Sequence, residues 1–169
     1  MSRLFCLAVA IYRWIITIAS NLQHVFLLVI RLYWGWQFHL TGLGKLHDIP
    51  KVTGFFQSLG IPAPGLNAWL AGSTECLGGL FLLLGLASRV STVPLIFTMV
   101  IAYLTASPDA VKHIFSKPDE FLSADPFLFM LAAVIVWLFG PGAFSVDGLI
   151  GWMLKRRAAT HAVASAAAS

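Results

Sequence analysis

Four apolar stretches, separated by polar or glycine- and proline-rich segments, divide this chain into predicted membrane-spanning helices. They cover residues 22–43, 66–86, 90–106 and 127–139. A helix needs roughly 20 apolar residues to cross a bilayer core of about 30 Å, a length that the first three approach. The fourth is short, so either its helix begins earlier, near Phe121, or neighbouring helices shield a thin stretch. The pattern predicts an all-α protein: an integral membrane four-helix bundle.

The linker between the first two stretches predicts a short helix of its own. Val52, Phe55, Phe56 and Leu59 recur at helical spacing and are followed by a turn signal in residues 60–65. We therefore expect an interfacial amphipathic helix in this outer loop.

The two ends of the chain are predicted to lie outside the bundle. Residues 1–20 combine two arginines with apolar side chains, which predicts an amphipathic helix in the membrane interface. A cleaved signal peptide is the competing interpretation, but Arg13 and Trp14 interrupt the apolar run that a signal needs. The bundle domain then covers residues 21–157, and the Ala/Ser tail, residues 158–169, is expected to be disordered.

Composition supports a lipid environment. Hydrophobic residues make up 59% of the chain and charged residues 11%, whereas a soluble domain carries about a quarter charged residues. The formal net charge is +4, but the cations form no basic face apart from the cluster at residues 155–157. We therefore expect the lipid bilayer as a partner and no nucleic acid.

The distribution of cations predicts the orientation in the membrane. With four spans, both termini lie on one side, and that side holds six cations against four on the other. Loops rich in Lys and Arg face the cytoplasm. We expect a multi-pass protein of the bacterial inner membrane with both termini cytoplasmic. The six cations are Arg3, Arg13, Arg89, Lys155, Arg156 and Arg157, and the four are Lys45, Lys51, Lys112 and Lys117.

Polar side chains inside the apolar stretches are the candidates for a functional site, because an ionisable residue within a span usually faces the bundle interior or water. Glu75 lies roughly 12 Å below the outer surface, close in depth to His39 and within reach of Gln37, with Lys45 nearer the surface. Arg31 belongs to the inner half. These five residues form the predicted ligand-binding or polar intramembrane site. Two interpretations remain open: Glu75 only sets the helix register, or it serves a ligand, proton or quinone site.

Two stripes of residues predict how the first two spans pack. Arg31, Gly35, Phe38, Gly42 and Lys45 are four, three, four and three residues apart, so they share one helix face. The second span repeats this spacing from Glu75 to Arg89, with a glycine at position 79. Glycines in such stripes let two helices approach closely. We expect two facing seams.

Metal and nucleophilic chemistry find no support in the sequence. His39 and His47 are not at helical ligand spacing, and Cys6 and Cys76 form no C-x-x-C pair. The glycines before Lys45 lack the spacing of a phosphate-binding loop. No metal site is predicted.

The same residues, in their order along the chain, resemble the DoxX family over residues 25–150. The matching elements are Arg31 with Gly35, Phe38, Gly42 and Lys45-Leu46; Phe55 and Leu59-Gly60-Ile61-Pro62; Glu75 with Gly78-Gly79, Leu82-Leu83-Leu84-Gly85-Leu86 and Arg89; and Gly140-Pro141-Gly142 with Ser145 and Asp147.

The resemblance implies a four-helix bundle in the bacterial inner membrane. Some relatives are subunits of an archaeal thiosulfate:quinone oxidoreductase, and others are linked to membrane complexes of oxidative-stress and thiol homeostasis. The family offers no agreed catalytic residue. The resemblance therefore implies an accessory subunit supporting a redox-complex partner, with a quinone-type ligand between helices one and two, rather than an enzyme on its own. A small transporter or channel, a purely structural assembly protein and a homo-oligomer remain alternatives.

Overall fold

The computed structural model describes residues 3–167, and this part of the chain is helical without any strand, which confirms the all-α prediction. Eight helices follow one another in this range. They are α1 Arg3–His47, α2 Ile49–Ser58, α3 Pro64–Leu84, α4 Ser88–Ala106, α5 Pro108–Lys112, α6 Pro118–Leu122, α7 Pro126–Phe139 and α8 Val146–Ala167.

Four of these helices pack side by side. The second half of α1 lies along α3, α4 lies along α7, and contacts of α3 with α4 and of α1 with α7 join the two pairs. The short helix α2, which matches the predicted amphipathic helix of the first linker, packs mainly on α3 at one end of this group. We call that end the α2 end and the opposite end, where α8 begins, the α8 end. The buried core consists of Phe38, Leu82, Leu95, Met99, Ala133 and Val136.

The apolar surface of the helices suits contact with lipid. Two helical segments of the described range, Val9–His47 and α4, are long and apolar enough to cross a membrane, and α7 is a shorter apolar helix. Large apolar side chains such as Leu32, Trp36 and Phe97 are about half or more exposed on this surface. In water this exposure would be unfavourable, whereas hydrocarbon tails solvate it.

The fourth apolar stretch forms a short helix that does not begin near Phe121. The helix begins at Pro126, and Phe121 belongs to the separate helix α6. The ring of Phe121 stacks on that of Tyr103 with centroids 4.5 Å apart, and its carbonyl accepts a hydrogen bond from the Tyr103 hydroxyl at 2.8 Å. These contacts hold the loop helix against α4, so the fourth helix stays short.

Both ends of the described range are helical. The expected boundary at residue 20 falls inside α1, a single helix of 45 residues. No glycine or proline precedes Gly35, so nothing in this stretch interrupts the helical hydrogen bonds. At the other end, α8 continues to Ala167 through the tail expected to be disordered, and alanine has the highest helix propensity. Residues 168 and 169 lie outside the described range.

Close packing of α1 on α3 follows the seams expected from the glycine spacing. A Cβ atom added at Gly35 would lie 2.7 Å from the backbone nitrogen of Leu83, and one at Gly42 would overlap the backbone of Cys76. One at Gly79 would overlap the backbone of His39. The two helix backbones are therefore in direct contact, as small residues allow in membrane helices.

Candidate functional site

An ion pair between α1 and α3 lies near the α2 end. The Lys45 ammonium donates hydrogen bonds to both carboxylate oxygens of Glu75. The Glu75 side chain is only 1% exposed, whereas that of Lys45 is 31% exposed. The carboxylate is thus buried behind its cation, and the ammonium is the member of the pair that a ligand can reach. A buried charge of this kind needs such a partner because desolvation is costly.

A cavity of about 1,040 Å³ opens beside this pair. It lies among α1, α3, α4 and the start of α7, and residues of α2 line one end of it. Both Lys45 and Glu75 line the cavity. Its volume is slightly above the usual range of small-molecule sites, which is roughly 300–1,000 Å³. The large apolar side chains of its wall include Phe55, Phe56, Phe97, Met99, Ile101 and Phe129.

Polar side chains also line the cavity, and besides the ion pair they include the charged residues Asp48, Lys51 and Asp125. The hydroxyls of Thr98 and Thr105 donate to carbonyls of their own helix, at 2.9 and 2.8 Å, so their remaining capacity is as acceptors. Lys45 has a third N–H beyond the two that reach Glu75. The cavity can therefore hold an apolar ring or chain and offer an N–H donor to a carbonyl-type oxygen.

His39 and Gln37, which the sequence placed with Glu75, lie apart from the cavity lining. The Nδ1 atom of His39 is 3.0 Å from the Cys76 carbonyl oxygen and 3.5 Å from its Sγ, inside the α1–α3 seam. The Gln37 amide donates to the hydroxyl of Tyr33 on its own helix at 3.4 Å. Of the five predicted site residues, the structure brings only Lys45 and Glu75 together.

Arg31 is buried at the α8 end, where it binds backbone carbonyls. Its Nε donates to Leu82 at 3.1 Å and Nη2 to Leu83 at 3.3 Å, and Nη1 donates to Phe144 at 3.0 Å and to Pro141. The guanidinium thus binds carbonyls in the last turn of α3, where the helix dipole favours a cation. Leu82 lies seven residues beyond Glu75, about 10 Å along α3, so Arg31 anchors the far end of the bundle.

Asp147 has a matching role that the sequence did not single out. Its carboxylate accepts hydrogen bonds from the backbone N–H of Ala87 at 2.8 Å and of Ser88 at 2.9 Å, which caps the start of α4. The Asp147 N–H donates to the Gly85 carbonyl at 3.0 Å. Its place in the C-terminal motif of the DoxX resemblance was the available signal, but its partners lie about 60 residues away.

The aromatic side chains of the cavity were also missed, because they come from separate elements. Phe55 belongs to α2, Phe97 to α4 and Phe129 to α7, and no pattern in the sequence indicates that the three rings line one cavity. Within the described residues, no group of three His, Cys, Asp or Glu side chains could hold a metal ion.

The helical architecture and the exposed apolar surface are those of a helical membrane protein. Comparison with known proteins agrees. Residues 26–108 match the family model described as DoxX. Over 130 residues the chain is 35% identical to the uncharacterized membrane protein Rv3486 of Mycobacterium tuberculosis, covering 70% of this chain and 77% of that protein.

A second relative is the putative oxidoreductase CatD of Bacillus subtilis. The two are 27% identical over 117 residues, which is 60% of this chain and 86% of that protein. No solved structure matches the chain at a significant level. The chain belongs to the DoxX family, which confirms the resemblance found in the sequence, and it is a membrane protein in contact with the lipid bilayer.

Proposed function

We propose that this DoxX protein is an accessory membrane subunit of a redox complex and that the cavity beside Lys45 and Glu75 binds a quinone-type ligand. The observation that carries the proposal is the cavity itself, a largely apolar chamber within a membrane bundle whose wall holds the buried Glu75 carboxylate and its Lys45 partner. The name of the relative CatD, a putative oxidoreductase, favours redox chemistry over transport.

The cavity fits a quinone in its volume and in the hydrogen-bond donor that it offers. Its aromatic wall suits a planar ring and an isoprenoid chain, and the free N–H of Lys45 suits a ring carbonyl oxygen. When bound, a quinone supplies an acceptor for two electrons and two protons. Glu75 holds the Lys45 ammonium at the cavity wall, and the rings of Phe97 and Phe129 lie on the same wall.

The ligand position that we propose differs from the one expected between the first two spans. These spans correspond to α1 and α3, whose backbones touch at Gly42 and Gly79, so their seam has no room for a ring. The cavity lies to one side of this seam and takes its wall from α2, α4 and α7 as well. We therefore place the ligand beside the α1–α3 pair.

Binding can be tested with decylubiquinone as the probe, added to purified protein in maltoside micelles and followed by quenching of tryptophan fluorescence. Lys45→Met removes the proposed donor and should raise Kd about tenfold or more, because a hydrogen bond from a charged group contributes roughly 1.5–3 kcal/mol. Gln37→Leu is the matched control on α1, outside the cavity lining, and should leave Kd unchanged. Equal Kd values for wild type and Lys45→Met would contradict the proposal.

The partner is tested by native mass spectrometry of the protein solubilised from its own membranes. Co-purification of an electron-transfer subunit, together with an extracted quinone, would support the proposal. Solute flux into liposomes, with neither partner nor quinone present, would instead favour a small transporter or channel, in which Glu75 lines a polar path. A partner without redox centres and without quinone would favour a structural assembly role.

We further propose that the chain crosses the bacterial inner membrane several times with its α8 end and both termini on the cytoplasmic side. Arg89 lies near that end, and the cluster at residues 155–157 lies in α8, as the positive-inside rule requires. In a cysteine-free background, cysteines replacing Lys51 and Lys117 should react with an impermeant thiol reagent on intact cells. A cysteine replacing Arg156 should not, and its labelling from outside would overturn this orientation.

A further inference from the structure

The half of α1 that precedes the bundle presents an apolar stripe to its surroundings. Every residue from 9 to 23 is exposed. Between residues 11 and 25, one set of apolar side chains recurs at intervals of four, three, four and three residues. The average spacing is 3.5 residues. We call this set the α1 stripe, and its members are Ile11, Ile15, Ile18, Leu22 and Val25.

Four polar residues lie on the opposite face of the same segment, where Val9 and Ile16 are also exposed. Arg13, Thr17, Ser20 and His24 follow one another at intervals of four, three and four residues. The Thr17 hydroxyl donates to the carbonyl of Arg13 at 2.9 Å, and the His24 ring accepts a hydrogen bond from the Ala143 N–H at 3.4 Å. This polar face therefore continues into the side of α1 that meets the bundle, and the α1 stripe points away from the bundle.

Lipid cannot cover the whole apolar length of α1. At 1.5 Å per residue, the 39-residue segment Val9–His47 measures about 58 Å, whereas a bilayer core is about 30 Å thick. No glycine or proline before Gly35 bends the helix into the interface. With residues 24–47 packed in the bundle, the preceding half extends about 30 Å beyond the α8 end. A protein surface must cover its stripe.

We propose that the α1 stripe packs against the same stripe of other copies of this chain, forming a parallel coiled coil that makes the protein a homo-oligomer. Copies inserted in one membrane share one orientation, so their α1 helices run parallel and in register. A 3.5-residue apolar repeat with polar residues on the outer face is the pattern that parallel coiled coils require. The stripe itself contains no charge that such pairing would bury.

The residue types in the α1 stripe also indicate how many helices the coiled coil contains. Ile15 and Leu22 take the a positions of the heptad, whereas Ile11, Ile18 and Val25 take the d positions. β-Branched side chains at d disfavour two-stranded coils and favour three or four strands. The oligomer therefore contains more than two copies.

Disulfide crosslinking in native membranes tests this interface. In full-length protein with Cys6 and Cys76 replaced by serine, Ile18→Cys should form intermolecular disulfides on mild oxidation. Ser20→Cys, two residues away at nearly the same depth but on the polar face, is the matched control. We expect at least ten times more crosslinked product at position 18 than at position 20. Equal yields at both positions would overturn the proposal.

Native mass spectrometry of the detergent-solubilised protein provides an independent measurement. Wild type should contain more than two copies, and Ile15→Asn combined with Ile18→Asn should shift it to the monomer without lowering the melting temperature of the bundle, because both side chains are exposed outside it. A monomeric wild type overturns the proposal, as does an oligomer that these substitutions leave intact. If this segment of α1 instead lay on lipid in the membrane interface, the wild type would be monomeric.

Discussion

Replacing Lys45 with methionine should destabilise the bundle more than replacing its partner Glu75 with glutamine, although both substitutions break the same ion pair. The asymmetry follows from burial. The Glu75 side chain is 1% exposed, so the loss of its cation leaves a carboxylate that water cannot reach. The Lys45 side chain is 31% exposed, so the loss of its anion leaves an ammonium that can turn into the cavity.

The magnitudes follow from the same geometry. An unpaired buried charge costs about 3–5 kcal/mol, which is the expected loss for Lys45→Met. Glu75→Gln keeps the shape and one acceptor for the ammonium, so the expected loss is about 1–2 kcal/mol. Lys45→Met combined with Glu75→Gln leaves no charge on either side chain, and the double variant should be more stable than Lys45→Met alone. The coupling between the two positions should be on the order of 2–3 kcal/mol.

The assay is equilibrium unfolding in maltoside micelles with increasing dodecyl sulfate, followed by far-ultraviolet circular dichroism. Free energies of unfolding for wild type, both single variants and the double variant complete the cycle. Equal losses for the two single variants would refute the argument from burial. Additive losses, with a coupling below about 0.5 kcal/mol, would show that the ion pair does not contribute to stability.

Three further predictions concern other parts of the molecule. Gly42→Ala should destabilise by about 1–3 kcal/mol in the same unfolding assay because its Cβ would overlap the backbone of α3, whereas Gly44→Ala, with open space around it, should be neutral or slightly stabilising. Arg31→Lys should lower stability by about 2–4 kcal/mol, since a lysine cannot reach the four carbonyls that the guanidinium binds, and a wild-type melting temperature would contradict this. In the loop before α7, the hydrogen bond from Lys117 lowers the pKa of Glu120. The stabilisation of the loop by this pair is therefore complete above the ordinary glutamate pKa, and it is lost as the pH falls through the lowered pKa. Lys117→Ala should raise the Glu120 pKa, which carboxyl-detected NMR titration measures, and an unchanged value would exclude the pair in solution.

The sequence alone determined the class of this protein and one of its helix interfaces. Apolar runs and their breaks predicted the helices because the hydrogen bonds of a helix join residues close in sequence, and the helix ends where glycine, proline or a turn interrupts them. The glycine spacing on two spans predicted the close α1–α3 contact for the same local reason, since Gly35 and Gly42 share one face. The order of motifs predicted the DoxX family, and the cost of an ionisable group in lipid singled out Glu75 together with Lys45.

Only the tertiary structure decided which groups meet. Arg31 looked like a member of the same polar site as Glu75, but its partners come from residues 82–83 and 141–144, and no local pattern encodes a contact across 110 residues. His39 and Gln37 shared a helix with Lys45, yet they lie about 200° apart around α1, so His39 enters the seam and Gln37 bonds within its own helix. The cavity exists because α2, α4 and α7 converge beside α3, and the shape of that space depends on side-chain packing between helices, which periodicity along one chain does not contain.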